Sequence, residues 1–376
     1  MNQTNLALKK LQGIKPKGVK TKDLSKLDNL LFDYRDFVDH CDSVGMRNQV
    51  KMMHLGTTHY PQRKDFFVKH DIVKEDTENF IKLVSDLDLD DAEAFYTGLY
   101  SGLLLSHLTE LERKKGSSAK IYFNGHGRKF DYLFARAPHV DKLIVDNFCG
   151  NNILLLAGNT KSSTDYVLVN NLSGSNNLGV VDFGNIDLLI ATNCKGDELA
   201  ADAIPMSSKV GMLIADNIEG NFALSSVGFG GGACGIAIVN NIRGNGTLGD
   251  FGASGGLSNL VYAQNIVGSH ILYESKGSPI SEAFDYPLNL VLCKNIAGSF
   301  AEKRRRIDKL VEFEKDPIQF DEITKKYRIN EVLNQINSIK TVDESTFDIL
   351  DKIQRVYLEL KPNLKYLENK KRYGEE

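Results

Sequence analysis

Three imidazoles share one short stretch, HLGTTHYPQRKDFFVKHD, as His54, His59 and His70. Imidazole is a ready zinc ligand, but the three together complete no zinc signature; they read as polar surface or as hydrogen-bonded core residues. Asp86, Asp88 and Asp90 resemble the opening of an EF-hand loop, whose sixth position would then be Asp91 in place of glycine and whose twelfth would be Thr97 in place of glutamate. That excludes the calcium site, and the aspartates are expected instead to cap a following helix and oppose its dipole. GNGTLG, from Gly244 to Gly249, matches GxGxxG, but DFGASGG follows it where a dinucleotide site needs a helix. FGGGACG, from Phe229 to Gly235, could cradle an anion on successive amides, yet it reads more simply as a tight corner. Its Cys234 has no His or Lys beside it in sequence to activate it. His126, in FNGHGRKFD, is an isolated histidine among basic residues.

HExxH, the P-loop and paired CxxC are all missing from the sequence. Cleavage of a polysaccharide needs carboxylates gathered on one face. Asp146 and Asp216 precede the recurring asparagine of their repeats, but the equivalent positions elsewhere are Asn170, Thr192, Asn240, Gln264 and Lys294. No metal and no cofactor is expected.

What must position any site is a repeat. Seven segments read three apolar residues, a polar residue, Asn, an apolar residue, any residue and Gly: LIVDNFCG, VLVNNLSG, LIATNCKG, LIADNIEG, AIVNNIRG, VYAQNIVG and VLCKNIAG. Their asparagines are Asn147, Asn171, Asn193, Asn217, Asn241, Asn265 and Asn295, spaced 24, 22, 24, 24, 24 and 30 residues apart. Asn124 and Gly127 look like a degenerate first rung. Leu154, Leu178, Leu224, Leu248 and Leu272 each fall seven residues after their repeat's Asn. A period near 24 also suits leucine-rich repeats, but 22 of the 32 glycines lie between Gly150 and Gly298, leaving no room for a helix per repeat. The spacing predicts a parallel β-solenoid (β-helix) of about 7–8 coils stacked at about 4.8 Å, roughly 35–40 Å long. Asn suits a left-handed corner, stacked Asn side chains can form an asparagine ladder along the axis, and the Gly three residues on is expected to make a second positive-φ corner.

Strand parity sharpens the expectation. The residues two and four before each Asn are small or medium, from Val145 and Leu143 onward, and should face a narrow interior. The residue three before it must point outward: Ile144, Leu168, Ile190, Ile214, Ile238, Tyr262 and Leu292. Such an apolar outer column should be covered, by the terminal helices or by a second copy; the amphipathic helix expected over Ala92–Leu111 is the first candidate.

The flanks read as helical, giving 1–22 as a basic arm, 23–118 as an N-terminal helical cap, 119–300 as solenoid and 301–376 as a C-terminal helical region. Helices are expected near Leu24–Cys41 and Asp76–Leu87, and Pro317 and Pro362 mark breaks. The Asn-stacked, Gly-cornered coils resemble the parallel β-helix class, and the layout of cap, solenoid and cap is similar to that of iron–sulfur cluster assembly scaffold proteins. No sequence motif of that family is present, so no residue role carries over.

Charge excludes little: the net is −3. From Leu143 to Gly298, thirteen acidic residues stand against six basic ones, or −7, whereas Met1–Lys22 holds six lysines and no acid. Lys9–Lys22 could engage nucleic acid, although no aromatic residue is interleaved for stacking; KRRR, Lys303 to Arg306, reads as a solvated helix face. No apolar run approaches a membrane span, no secretory signal is visible, and Cys41, Cys149, Cys194, Cys234 and Cys293 read as reduced thiols of a cytoplasmic protein. The functional expectation is a non-enzymatic scaffold that engages a protein partner or forms a homo-oligomer. The alternatives are an enzyme on a carbohydrate or other polymer along one solenoid face, and nucleic-acid binding through the basic termini.

Overall fold

A computed structural model of the chain describes residues 21–43, 60–155, 157–158, 163–179, 184–201, 203, 208–227, 232–249, 251, 257–271, 288–298 and 309–364. Nine parallel strands form one sheet in sequence order: β1 (Lys120–Lys129), β2 (Lys142–Cys149), β3 (Ser163–Asn170), β4 (Asn185–Thr192), β5 (Lys209–Glu219), β6 (Ala233–Arg243), β7 (Leu257–Val267), β8 (Leu288–Ala297) and β9 (Leu310–Glu312). Parallel neighbours in chain order require the chain to travel back to its start between them, and the tight turns between these strands make that return a β-solenoid coil.

Register follows the repeat alignment. Leu143, Val167, Leu189, Leu213, Ala237, Val261 and Val291 stand opposite one another from strand to strand, and they are buried inside the solenoid with the Val145 row. The first rung departs from it. Asn124 pairs with Asp146, one position before the corner, and the register then slips before Arg128 pairs with Phe148. In that slip His126 takes the left-handed conformation, with φ 51°, and its amide donates to Asn124 Oδ1 at 2.7 Å.

The seven corner asparagines all adopt φ between 51° and 57°, a region in which a short amide side chain is tolerated best. A second left-handed column is made of larger residues: Leu154, Leu178, Ala200, Leu224 and Leu248, with φ from 53° to 60°. Such a conformation costs a non-glycine residue about 1–2 kcal/mol. Each of these backbone N–H groups donates to a carbonyl of the preceding coil, at 2.8–3.0 Å, and each side chain is buried, so the stack holds the strain in place. Leu272 lies outside the described residues.

The recurring glycine has a different cause from the one expected. Gly174, Gly196 and Gly298 have φ near +135° (130°, 139° and 138°), but Gly150, Gly220, Gly244 and Gly268 are not among the positive-φ residues. What the column shares is closeness: a Cβ on any of them would lie 1.5–2.3 Å from a carbonyl oxygen of the preceding coil. Coil-to-coil backbone contact, more than corner geometry, requires the absence of a side chain.

Two helical units flank the stack. At the N-terminal side are α1 (Thr21–Ser43), α2 (Tyr60–Lys69), α3 (Lys74–Val84) and α4 (Asp91–Lys114). Asp90 caps α4, accepting from the Glu93 amide at 2.9 Å while Glu93 returns to the Asp90 amide, a reciprocal capping box. α4 sits on the first coil: a Cβ on Gly98 or Gly102 would meet the carbonyl oxygens of Tyr132 or Ala135 at 2.3 Å, and Ser101 Oγ accepts from the Phe134 amide at 2.9 Å. This helix closes the end of the solenoid interior, so its apolar side chains join the inner core.

The outer column is covered from the other end of the chain. Ile144, Leu168, Ile190, Ile214, Ile238, Tyr262 and Leu292 are at most 2% exposed. They cluster with residues of α5 (Pro317–Lys326), α6 (Ile329–Ser338) and α7 (Thr346–Leu360), among them Phe320, Ile336, Leu350 and Tyr357. The helix over Ala92–Leu111 is therefore not the cover. Its small-residue face, Gly98, Ser101 and Gly102, fits an exposed coil backbone, whereas α6 and α7 bring the broad apolar faces that a column of branched side chains needs.

Polar staples fix the cover. Asp351 of α7 accepts from Lys120 Nζ (2.9 Å), Lys142 Nζ (2.7 Å) and Tyr166 Oη (2.8 Å). Burial alone would raise this carboxyl, but those hydrogen bonds outweigh it and hold it below its ordinary value. Further along, Gln354 Nε2 and Lys361 Nζ reach Asp187 at 2.9 and 3.5 Å. Beyond Asp187 lies a slot. Gly211 and Gly235 occupy the position equivalent to Asp187 on the next two strands, and the Tyr357 ring fills the space where a Gly211 Cβ would stand, 2.1 Å from Cζ.

Candidate functional site

Where the cover ends, the outward face of the sheet turns polar. The residue before each corner Asn has the same parity as the covered column, but it lies at the border of the helices, and it forms a hydrogen-bonded row. Asn170 Nδ2 donates to Asp146 Oδ1 at 2.7 Å, Thr192 Oγ1 to Asn170 Oδ1 at 2.8 Å, and Asn240 Nδ2 to Asp216 Oδ1 at 2.8 Å. At the first coil Asn124 Nδ2 donates to Asp146 Oδ2 at 2.9 Å, and Tyr122 Oη donates to the Val342 carbonyl at 2.9 Å. These residues are 6–8% exposed where they are most enclosed, at Asp146, Asn170, Thr192, Asp216 and Asn240.

One residue further on, the corner asparagines form a parallel row facing solvent rather than the interior. Asn171 donates to Asn147 (3.0 Å), Asn217 to Asn193 (2.7 Å), Asn265 to Asn241 (3.0 Å) and Asn295 to Asn265 (3.0 Å). The two other steps cross between rows: Asn193 donates to Asn170 Oδ1 at 2.8 Å and Asn241 to Asp216 Oδ1 at 3.0 Å. The structure thus brings all seven asparagines into one line and joins them to the inner polar row.

A groove of about 530 Å³ follows these rows along β1 to β5. Its floor and one bank are Asn124, Asp146, Asn147, Asn170, Asn171, Thr192, Asn193 and Asp216; the other bank is the end of α6 and the segment after it, from Ile336 to Val342. Across the asparagine ridge a second concavity of about 590 Å³ runs along β5 to β8, lined by Glu219, Arg243, Val267 and the corner asparagines from Asn217 to Asn295.

The groove's two carboxylates are tuned by enclosure. Burial raises Asp146 and Asp216 above the ordinary carboxylate value, opposed in Asp146 by hydrogen bonds from Asn170 and Tyr122 and in Asp216 by those from Asn241 and Asn240. They stand three strands apart in one row, hence about 14 Å at the ordinary strand spacing. Paired glycosidase carboxylates stand about 5–9.5 Å apart, so these two cannot share one glycosidic bond.

The other candidates are scattered. His70 stacks on Phe66, with ring centroids 4.4 Å apart; His54 and His59 lie outside the described residues, as do Lys9–Lys20, Phe229–Gly231 and Lys303–Arg306. His126 is exposed at its corner. Asp86 and Asp88 are exposed and Asp90 is the α4 cap. Gly244 belongs to the stacked glycine column. All five cysteines are free; burial pushes Cys41, Cys194, Cys234 and Cys293 up to about 12, the opposite of an activated thiol. Among the described residues no group of three or more His, Cys, Asp or Glu side chains is placed to hold a metal ion, and no helix is long and apolar enough to cross a membrane.

Sequence reasoning missed the groove's far bank. The segment Lys340–Val342 has no periodicity, and its place beside Asn147 and Asn171 follows only from the docking of α6 and α7. No family model matches this chain, and no curated protein and no solved structure matches it either.

Proposed function

We propose that the protein is a non-enzymatic binding scaffold whose contact surface is the asparagine-lined side of the solenoid. The observation that carries this reading is the double polar row. Its side chains are fixed by one another, so a partner meets a preorganised surface and binding orders few side chains, while its carboxylates stand too far apart for paired acid–base work. In this reading the corner asparagines also serve as a structural ladder that keeps the coils in register. The apolar outer column supplies no reason for a second copy, because the chain's own helices occupy it. A cytoplasmic setting is supported by the five free cysteines.

The competing reading is an enzyme acting on a carbohydrate polymer in the same groove. Incubation of the purified chain with neutral and acidic polysaccharides, assayed for new reducing ends, separates the two. The scaffold reading expects none. Reducing ends produced by the parent and lost in Asp146→Asn or Asp216→Asn would overturn it.

A further inference from the structure

We propose that the groove between the corner asparagines and the Ile336–Val342 segment binds a neutral, linear polysaccharide laid along the solenoid axis. This rests on the scaffold reading and assigns the ligand class. The groove follows the stack across β1 to β5, about 19 Å at the strand spacing, and it is a furrow open to solvent; a polymer fits such a shape better than a compact metabolite. Its polar side repeats once per coil, close to the length of one sugar ring. Of the groove's corner amides, Asn193 uses one N–H on Asn170 and its oxygen on Asn217, whereas Asn171 uses only an N–H and Asn147 only its oxygen. That leaves at least one N–H and one lone pair per coil, the donor and acceptor pair that a hydroxyl satisfies. The opposite bank offers the half-buried Ile339 and Val342, apolar surface suited to the C–H faces of a sugar ring, with the Thr341 hydroxyl between them.

Charge and composition separate this ligand from others. Asp146 and Asp216 against Lys340 leave the groove at −1, which disfavours a polyanion; nucleic-acid sites draw most of their affinity from cations placed on phosphates and stack bases on aromatics. The aromatic and arginine anchors typical of protein hot spots are also missing from the residues lining it.

The test is affinity electrophoresis of the full chain through native gels containing hydroxyethyl cellulose, glucomannan, amylose or polygalacturonate, with single-stranded DNA binding measured alongside. Retardation by at least one neutral glycan is expected, with none by polygalacturonate. Thr341→Arg, at an exposed position, should weaken that retardation at least tenfold while leaving the melting temperature unchanged. Asn171→Arg should weaken it too, with a lower melting temperature because it removes the bond to Asn147 at a left-handed corner. If Asn171→Arg disturbs folding, Thr341→Arg alone decides, since it lies outside the solenoid. The proposal is overturned if no neutral glycan retards the chain, if retardation survives Thr341→Arg, or if polygalacturonate or DNA binds as well. Retardation accompanied by release of reducing ends would keep the ligand class and sink the non-enzymatic reading instead.

Discussion

Gly211→Ala should loosen the entire C-terminal cover through one methyl group. The new Cβ would lie 2.1 Å from Tyr357 Cζ, 2.4 Å from its hydroxyl and 2.5 Å from Cε2. Carbon atoms in contact prefer about 3.5–4.0 Å, so the ring must retreat by about 1.4 Å. Tyr357 is only 2% exposed and sits between Gln354 and Lys361, both bonded to Asp187, so it cannot retreat without moving the helix. Overpacking of this kind costs about 1–3 kcal/mol. Tyr357→Ala alone should cost about 3–5 kcal/mol, as large aromatic truncations do. In the double variant the methyl introduced by Gly211→Ala enters space that the ring has vacated, so the combined loss should fall short of the sum by about 1 kcal/mol or more. The chain contains no tryptophan, so urea unfolding followed by far-ultraviolet circular dichroism is the suitable assay. Losses that add within about 0.5 kcal/mol would show that the two residues do not share this slot.

Substitutions at three further positions probe the polar rows and the staples. Burial holds the Asp216 carboxyl above its ordinary 3.8, so the folded state binds this proton more tightly than the unfolded state, and stability falls as pH climbs from 3.8 through the raised value. Asp216→Asn, which keeps an oxygen for Asn240 and Asn241, should therefore raise the melting temperature more at pH 7 than at pH 4; a lower melting temperature at pH 7 would reject this account of the buried carboxylate. Asp351 is the reverse case: its lowered carboxyl contributes stability above 3.8 that is lost as pH falls through the folded value. Asp351→Ala should cost about 1.5–3 kcal/mol at neutral pH, the range for hydrogen bonds to charged groups, and the difference from the parent in denaturant midpoint should shrink in acid. Asn217→Ala should cost about 1.5–3 kcal/mol, combining a lost hydrogen bond with a methyl side chain at φ 56°, whereas Asn217→Gly should cost less; equal losses in thermal melts would mean that the left-handed corner carries no strain.

The solenoid was legible because its signal repeats. Asn147 to Asn295 mark one corner seven times, and strand parity alone separates the Val145 row from the Ile144 row. The reason for the glycines was not legible: Gly150 and Gly220 are needed where two backbones meet, and a sequence does not show which residues meet. The same limit explains the cover. Apolar periodicity marked Ala92–Leu111 as a helix needing a partner, but the small residues that direct it to the coil end are read only against Tyr132 and Ala135. The misaligned first rung has a local cause, since the slip around His126 places Asn124 opposite Asp146. Of the site, one bank was written in the repeat. The other, Lys340–Val342, sits nearly two hundred positions beyond Asn147, in a segment with no pattern.

In a stack of repeats each unit touches only its neighbours, and such arrays gain or lose units freely. This one carries a gauge. α7 is a rod of about 22 Å at 1.5 Å per residue, and along it Asp351 reads Lys142 on β2 while Tyr357 reads Gly211 on β5. Removing one coil between those strands would leave every remaining interface intact, yet it would shift one mark by about 4.8 Å against the other. A duplicated coil would miss by the same amount in the opposite direction. The number of coils beneath the rod is thus set by the pitch of a helix encoded far downstream, and a change in one demands a change in the other.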